Sequence, residues 1–211
     1  MISSLQADEV LRLSPVMAVV TLEDAALAAP LARALVRGGL KTLEIALRTP
    51  AALEAIRVAA AAAPELAVGA GTVLNEADLT AAIKAGARYA LSPGATPALL
   101  QAALRAPIPL IPGVATASEI MAGLEHGYDC FKFFPAAQLG GTGALKALGA
   151  PLARARFCPT GGIGADAVAA YLALANVLCV GGSWVAPADK IKAGDWAGIE
   201  TLARQAAGFA K

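Results

Sequence analysis

The sequence predicts an α/β protein with the architecture of a (β/α)8 barrel, also called a TIM barrel, preceded by one additional N-terminal helix. Short apolar runs rich in Val, Ile, Leu and Phe alternate with longer Ala-rich stretches of helical periodicity. Their centres lie roughly 20 to 27 residues apart, which leaves room for one strand and one short helix in each repeat. The eight runs are PVMAVV (15–20), LEIAL (43–47), LAVGAGTV (66–73), YALSPG (89–94), PLIPG (109–113), FKFFP (131–135), RFCPTGG (156–162) and VLCVGG (177–182).

An open doubly wound sheet is the alternative arrangement for eight alternating strands and helices. The regular, short spacing of the runs favours the closed barrel instead. No G-x-G-x-x-G segment follows the first run, which argues against a dinucleotide-binding sheet. Barrel enzymes build their active sites at the carboxyl ends of the strands, so polar residues near those ends are the functional candidates.

Capping signals mark the ends of the predicted helices. Asn75 stands at an N-cap position, and Thr116 with Glu119 has the spacing of a capping box. Gly38 and Gly86 are typical of the residues that end a helix. These patterns, together with the segments at the two chain ends, predict helices over 4–13, 24–39, 75–87, 116–127 and 195–209.

The composition excludes several classes of protein. The 211 residues are 57% hydrophobic and 16% charged, with a formal net charge of +1. A disordered chain has the opposite balance, and a nucleic-acid-binding domain usually has a basic surplus. Pro, Gly or a charge interrupts every long apolar stretch, so no membrane span is expected. The composition does not change along residues 1–211, which predicts a single barrel domain.

The cysteines and the N-terminus point to a cytoplasmic protein. Cys130, Cys158 and Cys179 are odd in number and lie in apolar runs, so we expect buried, reduced thiols. The N-terminus lacks the basic region of a signal peptide. His126 is the single histidine, which gives little support to a zinc site built from His and Cys.

Lys132 is a charge in the middle of an apolar strand. Strand parity places Cys130, Lys132 and Phe134 on one face and the other two phenylalanines of the run on the opposite face. If those phenylalanines pack against helices, Lys132 points into the barrel. Burial disfavours the ammonium form, and a neutral amine is what a Schiff-base nucleophile requires. The alternatives are a lysine that snorkels to water from a strand end, or one half of a structural ion pair.

Glu44 presents the same anomaly in the run TLEIALRTP. Glu44, Ala46 and Arg48 share one face of this strand by the period of two. A carboxylate near a buried lysine can carry protons during imine formation and hydrolysis. Arg48, near the end of the strand, is placed to bind a carboxylate with two hydrogen bonds. The alternative is a buried ion pair that only stabilises the fold.

Glycine pairs follow the last two predicted strands. Barrels often bind phosphate at these positions through glycine-loop N–H groups and a helix N-terminus. The expected exposed donors are Gly161, Gly162, Gly181, Gly182 and Ser183. Either pair alone would more often be an ordinary turn. Thr72 ends the third strand, where its hydroxyl can reach a ligand.

The segment LGGTG (139–143) is too short for a Walker A loop. We predict that it is a flexible connection.

Seven segments of the chain resemble the bacterial 2-keto-3-deoxy-6-phosphogluconate (KDPG) and 4-hydroxy-2-oxoglutarate aldolase family. The resemblance covers nearly the whole chain, in order and with matching spacing, and LEIALRT, FKFFPA and PTGGI are its most specific parts. The segments are LEIALRT, VGAGTVLN, LSPG, PLIPGVATASE, FKFFPA, FCPTGGI and LCVGGSW.

The resemblance implies a role for each matching residue. The lysine of FKFF, Lys132, would form the Schiff base, and the glutamate of LEIALRT, Glu44, would transfer protons. Arg48 and Thr72 would hold the substrate carboxylate. The remaining roles are phosphate binding by Gly161, Gly162, Gly182 and Ser183, stereochemical preference by Thr160, and lining of the pocket by Pro93 and Phe134.

The same resemblance implies a cytoplasmic homotrimer and a metal-independent lyase without a cofactor. Its partners would be a phosphorylated 2-keto sugar acid and pyruvate, with no nucleic acid and no membrane. Thr160, where an aliphatic residue could stand, favours the gluconate-derived substrate over its galactonate epimer. Two alternatives are an aldolase for the galactonate epimer and, more remotely, a phosphosugar-binding barrel without catalysis.

Overall fold

Parallel strands in two sheets form the centre of the computed structural model, which describes residues 6–209. The strands within that range are β1 (Val16–Val20), β2 (Thr42–Ala46), β3 (Ala67–Gly71), β4 (Ala90–Leu91), β5 (Leu110–Ile111), β6 (Gly113–Val114), β7 (Cys130–Phe133), β8 (Arg156–Pro159) and β9 (Val180–Gly182). One sheet has the order β5-β4-β3-β2-β1-β9, and the other has the order β6-β7-β8. Each of the eight predicted apolar runs contributes to a strand.

Hydrogen bonds also connect the two sheets. Pro112 separates β5 from β6, and its carbonyl accepts the Lys132 N–H over 2.9 Å. On the other side, isolated parallel bridges join Phe157 to Val177 and Thr160 to Gly181. These contacts place β8 beside the segment that ends in β9. The parallel strands therefore follow a curled surface with an inner and an outer face.

Helices follow the strands in regular alternation. Within the described residues they are α1 (Ala7–Arg12), α2 (Ala28–Arg37), α3 (Ala52–Ala62), α4 (Glu76–Lys84), α5 (Pro97–Ala103), α6 (Ala117–Glu125), α7 (Gly141–Gly149), α8 (Val168–Leu172), α9 (Ala188–Ala193) and α10 (Trp196–Ala207). None of these helices is long and apolar enough to cross a membrane. The predicted N-terminal helix is present as α1, and the first two residues of its predicted range, 4–13, lie outside the described residues.

The predicted caps at Asn75 and Thr116 are confirmed. The Asn75 side chain accepts the N–H of Asp78 over 2.9 Å. Thr116 Oγ1 accepts the Glu119 N–H, while the Glu119 carboxylate accepts the Thr116 N–H, which completes the capping box. The helix predicted at 24–39 begins instead with a 3-10 turn over Ala25–Leu27.

Two local predictions are wrong. Residues 139–143 are not a flexible connection, because α7 begins at Gly141 and Gly140 adopts the left-handed conformation at its N-cap. The run at 109–113 does not form one strand, because Pro112 has no N–H to donate and the ladder is interrupted there.

The strand faces alternate as the parity of the sequence predicts. Phe131 and Phe133 of β7 belong to an outer cluster that contains helix residues such as Leu145. Cys130 belongs to a separate inner cluster with Tyr89, and the cluster residues supplied by α1 are Val10 and Leu11. All three cysteines are buried thiols outside any disulfide, as predicted.

Candidate active site

A buried ion pair between Lys132 and Glu44 lies on the inner face of the curled sheet. Lys132 Nζ donates a hydrogen bond to Glu44 Oε1 over 2.7 Å, and the two side chains are only 6% and 1% exposed. Lys132 comes from β7 and Glu44 from β2, which belong to different sheets and are separated by 88 residues of sequence. The curled fold therefore brings together the two charges that the sequence places within apolar strands.

Glycines of β3 provide the space that this pair needs. A Cβ atom at Gly71 would lie 2.1 Å from Glu44 Oε1, which is far inside the contact distance of real side chains. Two residues earlier on the same face, a Cβ at Gly69 would lie 2.2 Å from the ring of Tyr89. A larger residue at Gly71 would displace the Glu44 carboxylate, and one at Gly69 would displace the Tyr89 ring.

Tyr89 faces the carboxylate from within the inner cluster. Burial, together with the negative charge of Glu44, raises the pKa of the Tyr89 hydroxyl well above its usual value, although the Leu43 backbone lowers it slightly. The hydroxyl is therefore neutral, and within residues 6–209 it has no side-chain hydrogen-bond partner. Glu44 Oε2 is also buried without a hydrogen-bond partner among the described residues.

The amino group of Lys132 has an aromatic ring and a thiol as further neighbours. Its Nζ lies 5.5 Å from the centre of the Phe134 ring, within the range of a cation–π contact. Cys158 of β8 is the register partner of Lys132. A hydrogen bond from Cys179 lowers the pKa of the Cys158 thiol, against the opposite effect of burial. Both thiols belong to the inner cluster that contains Tyr89.

Arg48 and Thr72 meet above the ion pair, at the carboxyl ends of β2 and β3. Arg48 Nε donates to Thr72 Oγ1 over 3.1 Å. Among the described residues, Thr72 is the one non-glycine residue with a positive φ, which is 60°. Such a conformation costs on the order of 1–3 kcal/mol and is common in functional sites. The guanidinium is exposed, so its remaining N–H groups are available to an anion.

The loop after β8 requires glycine at two successive positions. Gly161 and Gly162 have φ values of 102° and 71°, a region that L side chains rarely adopt. Thr160, just before them, is 6% exposed, and its hydroxyl donates to the Cys158 carbonyl over 3.3 Å. A Cβ at Gly181 would lie 2.3 Å from Thr160 Oγ1, so Gly181 makes room for this threonine.

The segment after β9 differs in part from the expectation. Ser183 is exposed, as expected of a residue that donates to a ligand. Gly181 and Gly182 are buried in β9, where Gly182 lies opposite Ala18 in the ladder. The prediction of exposed donors at these two glycines is therefore wrong, because both lie within the ladder of β9.

A cavity of about 290 Å³ opens beside the ion pair, close to the lower end of the usual size range for ligand pockets. Its lining consists of Val19, Arg48, Lys132, Phe134, Thr160, Gly161, Gly162, Ile163, Gly164, Gly181 and Ser183. Eight of the predicted site residues, with Gly181 among them, therefore share one cavity at the carboxyl ends of the strands.

Four predicted site residues do not line this cavity. Glu44 lies behind Lys132. Thr72 contacts Arg48, which lines the cavity, and Gly182 is buried in β9. Pro93 packs with its backbone against Gly113, which is the register partner of Lys132.

Sequence reasoning missed some residues that shape the site. Val19, Ile163 and Gly164 line the cavity, and Gly71 makes room for Glu44. Val19 could have been found from strand parity, because it is two residues beyond Met17, which faces the inner cluster. Gly71 gives no such signal, since the close approach of a carboxylate from another strand is a property of the folded chain.

The chain is similar to known proteins over nearly its whole length. Residues 7–202 match the family model described as aldolase, KDPG and KHG aldolase. The chain is 50% identical over 205 residues to the KHG/KDPG aldolase of Escherichia coli, covering 97% of this chain and 96% of that relative.

Two solved structures are also similar. A KDPG aldolase from Legionella pneumophila, with pyruvate captured as a covalent carbinolamine intermediate, has a TM-score of 0.94 and 45% identity, and the match covers 97% of this chain and 99% of that one. The KDPG aldolase of Zymomonas mobilis with 3-phosphoglycerate has a TM-score of 0.93 and 49% identity, with coverage of 97% and 96%. The chain belongs to the KDPG and KHG aldolase family.

Proposed function

We propose that this lyase is a class I aldolase, which cleaves KDPG to pyruvate and glyceraldehyde 3-phosphate through a Schiff base on Lys132. The observation that carries the proposal is the 2.7 Å contact between Lys132 Nζ and Glu44 Oε1, buried beside an open cavity. The carbinolamine captured in the Legionella pneumophila relative supports covalent chemistry with pyruvate. The name of the Escherichia coli relative supports 4-hydroxy-2-oxoglutarate as a second substrate.

The reaction begins with proton transfer within the buried pair. Lys132 gives a proton to Glu44, and the neutral amine adds to the C2 ketone of the substrate, forming a carbinolamine. Glu44 then protonates the C2 hydroxyl, which leaves as water, and an iminium forms between Nζ and C2. Splitting the reaction through this covalent intermediate replaces one difficult step by several easier ones.

Cleavage uses the iminium as the acceptor of electrons. Glu44, again a carboxylate, takes the proton of the C4 hydroxyl, and the C3–C4 bond breaks. The electron pair of that bond forms the enamine, and glyceraldehyde 3-phosphate leaves. Glu44 then returns a proton to C3, and water adds to C2 to release pyruvate and the free amine. The iminium supplies the electron sink, so this mechanism needs no metal ion and no other cofactor.

The two ends of the substrate would bind to the two polar sides of the cavity. Arg48, held by Thr72, binds the carboxylate next to the reacting ketone. At the other end, Gly161, Gly162 and Ser183 bind the phosphate, and Gly182 supports them from β9. A glycine-rich lining suits an anion because backbone N–H groups can approach it without interference from side chains.

Two other cavity residues would contact the carbon chain. Thr160 lies between the ion pair and the glycine loop, where its hydroxyl can distinguish the configuration at C4. Phe134, whose ring is near Lys132 Nζ, closes one side of the pocket, and Pro93 supports the site from outside the cavity lining through its contact with Gly113. This position of a polar Thr160 supports the gluconate-derived substrate rather than its galactonate epimer.

The same proposal extends to the architecture and the assembly. The two sheets, joined by the contacts at Pro112 and by the bridges from Phe157 and Thr160, would form one closed (β/α)8 barrel with α1 at its N-terminal end. Residues 1–211 would be a single domain. The expected assembly is a homotrimer in the cytoplasm.

A lactate-dehydrogenase-coupled assay for pyruvate tests the proposed reaction. The purified protein is given KDPG, its C4 epimer or 4-hydroxy-2-oxoglutarate, and kcat/KM is measured for each. We expect the highest value for KDPG, a lower value for 4-hydroxy-2-oxoglutarate, and loss of all activity in Lys132→Met. A higher kcat/KM for the epimer would contradict the substrate assignment. Ligand-induced stabilisation without pyruvate release would indicate a binding protein instead.

A further inference from the structure

Trp184 packs directly behind the loop that we assign to the phosphate. A Cβ atom at Gly182 would lie 2.6 Å from Trp184 Nε1 and 3.0 Å from its Cδ1. The pyrrole edge of the indole therefore occupies the space that a side chain at position 182 would need. Gly182 and Trp184 are separated only by Ser183, so the indole folds back onto the backbone that precedes the exposed serine.

A turn fixes the direction of this indole. The Ala186 N–H donates to the Ser183 carbonyl over 3.3 Å, which closes a turn that contains Trp184. Gly182, just before the turn, is held in the sheet opposite Ala18. Ser183, the first residue of the turn, lines the cavity. The indole therefore packs against Gly182 at the end of β9, next to Ser183, which faces the cavity.

Phe209 holds the indole from behind. The rings of Trp184 and Phe209 form an edge-to-face pair, with centroids 6.5 Å apart and an interplanar angle of 85°. Such pairs contribute favourably beyond the area that they bury. Phe209 follows α10, so a residue near the C-terminal end of the chain supports Trp184, which in turn supports the loop after β9.

The indole N–H has an unusual environment. Trp184 Nε1 is buried and has no hydrogen-bond partner among the described residues. Buried tryptophan N–H groups usually find an acceptor, because an unpaired donor costs free energy. Nε1 is also the indole atom nearest to the Cβ position of Gly182, so the positive end of the N–H dipole lies beside the phosphate loop.

We propose that Trp184 is a positioning residue for the substrate phosphate: its indole sets the shape of the loop 181–183, and its N–H edge favours negative charge there. Phe209 keeps the indole in place. The inference rests on the proposed function, since it assumes that this loop binds the phosphate. Trp184 does not line the cavity, but it would help to determine the preference for a phosphorylated substrate.

The first test separates substrates by the presence of a phosphate. Kinetic constants are measured for KDPG and for 4-hydroxy-2-oxoglutarate with the wild type, Trp184→Phe and the matched control Trp196→Phe. For Trp184→Phe we expect KM for KDPG to rise about ten-fold, since small displacements of binding groups are costly. Its kcat for KDPG and both constants for 4-hydroxy-2-oxoglutarate remain within about two-fold of the wild type. Phe209→Ala shows the same selective change, to a smaller extent.

The second test observes the indole directly. The chain has two tryptophans, so Trp196→Phe contains Trp184 as its sole indole. Its emission is recorded during titration with inorganic phosphate and, separately, with pyruvate. We expect a saturable change in emission with phosphate and none with pyruvate. Trp184→Phe, which retains Trp196, shows neither change and serves as the control.

Three outcomes would overturn the role of Trp184. They are unchanged KM values in Trp184→Phe, equal losses with both substrates, or an indole emission that does not respond to phosphate. Equal losses accompanied by a lower Tm would assign Trp184 to stability alone. Failure of the wild type to cleave KDPG would instead contradict the proposed function, so the two failures are distinguishable.

Discussion

At the scale of single residues, the charges within apolar strands are the most informative feature of the sequence. Only 16% of the residues are charged, so Lys132 and Glu44 are conspicuous among Phe, Leu and Ile. Strand parity predicts that both side chains face inward, and the structure confirms this with a 2.7 Å contact between them. The partner of each residue could not be predicted, because it depends on how two sheets curl around a common space.

Replacing Glu44 by glutamine tests its proposed role in proton transfer. Glutamine retains the shape of the side chain and cannot accept a proton from Lys132 or from a substrate hydroxyl. We expect kcat to fall by about 10²–10⁴-fold, the usual contribution of general acid–base catalysis. KM for KDPG should change little, since Arg48 and the glycine loops are intact.

Glu54→Gln is a matched control for this prediction. Glu54 pairs with Arg57 on the surface of α3, and both side chains are exposed. Its replacement removes the same charge at a distance from the cavity and should leave kcat unchanged. A Glu44→Gln enzyme with the kcat and KM of the wild type would show that Glu44 is only a structural partner of Lys132.

At the scale of secondary structure, the strands were easier to predict than the connections. All eight apolar runs contribute to strands, and the caps at Asn75 and Thr116 are confirmed. Helix α7 was missed because its first residues, GTG, have low helix propensity and no apolar periodicity. The break at Pro112 was missed because the run around it is apolar on both sides.

The close approach of β2 and β3 leads to a prediction for Gly71. In Gly71→Ala, the new Cβ would lie 2.1 Å from Glu44 Oε1, so the carboxylate must move away from Lys132. We expect a kcat at least about ten-fold lower, and a loss of about 1–3 kcal/mol in the free energy of unfolding from overpacking. Kinetics and urea unfolding of the same preparation measure both effects.

Gly143→Ala provides the control for the glycine-to-alanine change. Gly143 lies in α7, and a Cβ there meets no atom within 4 Å. This variant should gain about 0.5–1 kcal/mol in the free energy of unfolding, as alanine is favoured in helices. It should retain the kcat of the wild type. A Gly71→Ala enzyme as active as Gly143→Ala would mean that the carboxylate can shift without consequence.

At the scale of the whole molecule, the composition is explained by the layered arrangement. Ala-rich helices cover the outer faces of short strands, and small residues such as Gly69 and Gly71 allow large groups on the inner face. The sequence predicts the layers from alternation and periodicity. It does not predict the size of the cavity, which depends on how far β9 extends and on which glycines face inward.

Two weak acids that are withdrawn from water, Cys130 and Tyr128, predict a loss of stability at alkaline pH. Burial raises the pKa of Cys130 to about 12 and that of Tyr128 to about 12, from ordinary values of 9.0 and 10.0. The folded state therefore favours the protonated groups. Their contribution to stability is complete below the ordinary pKa values and is lost as the pH rises through the raised ones.

Urea unfolding between pH 8 and roughly pH 12 measures this loss. We expect the free energy of unfolding to fall with rising pH over this range, and Cys130→Ala should show a shallower fall than the wild type. The variant can be less stable overall because it leaves a small cavity. Identical pH dependences for both proteins would mean that Cys130 does not titrate on unfolding.

The covalent role of Lys132 is the central claim, and trapping with borohydride tests it most directly. The protein is incubated with pyruvate and sodium borohydride, digested, and analysed by peptide mass spectrometry. We predict one stable, reduced pyruvyl adduct, located on Lys132, and no adduct when pyruvate is omitted. An unmodified Lys132, or an adduct on another lysine, would contradict the account.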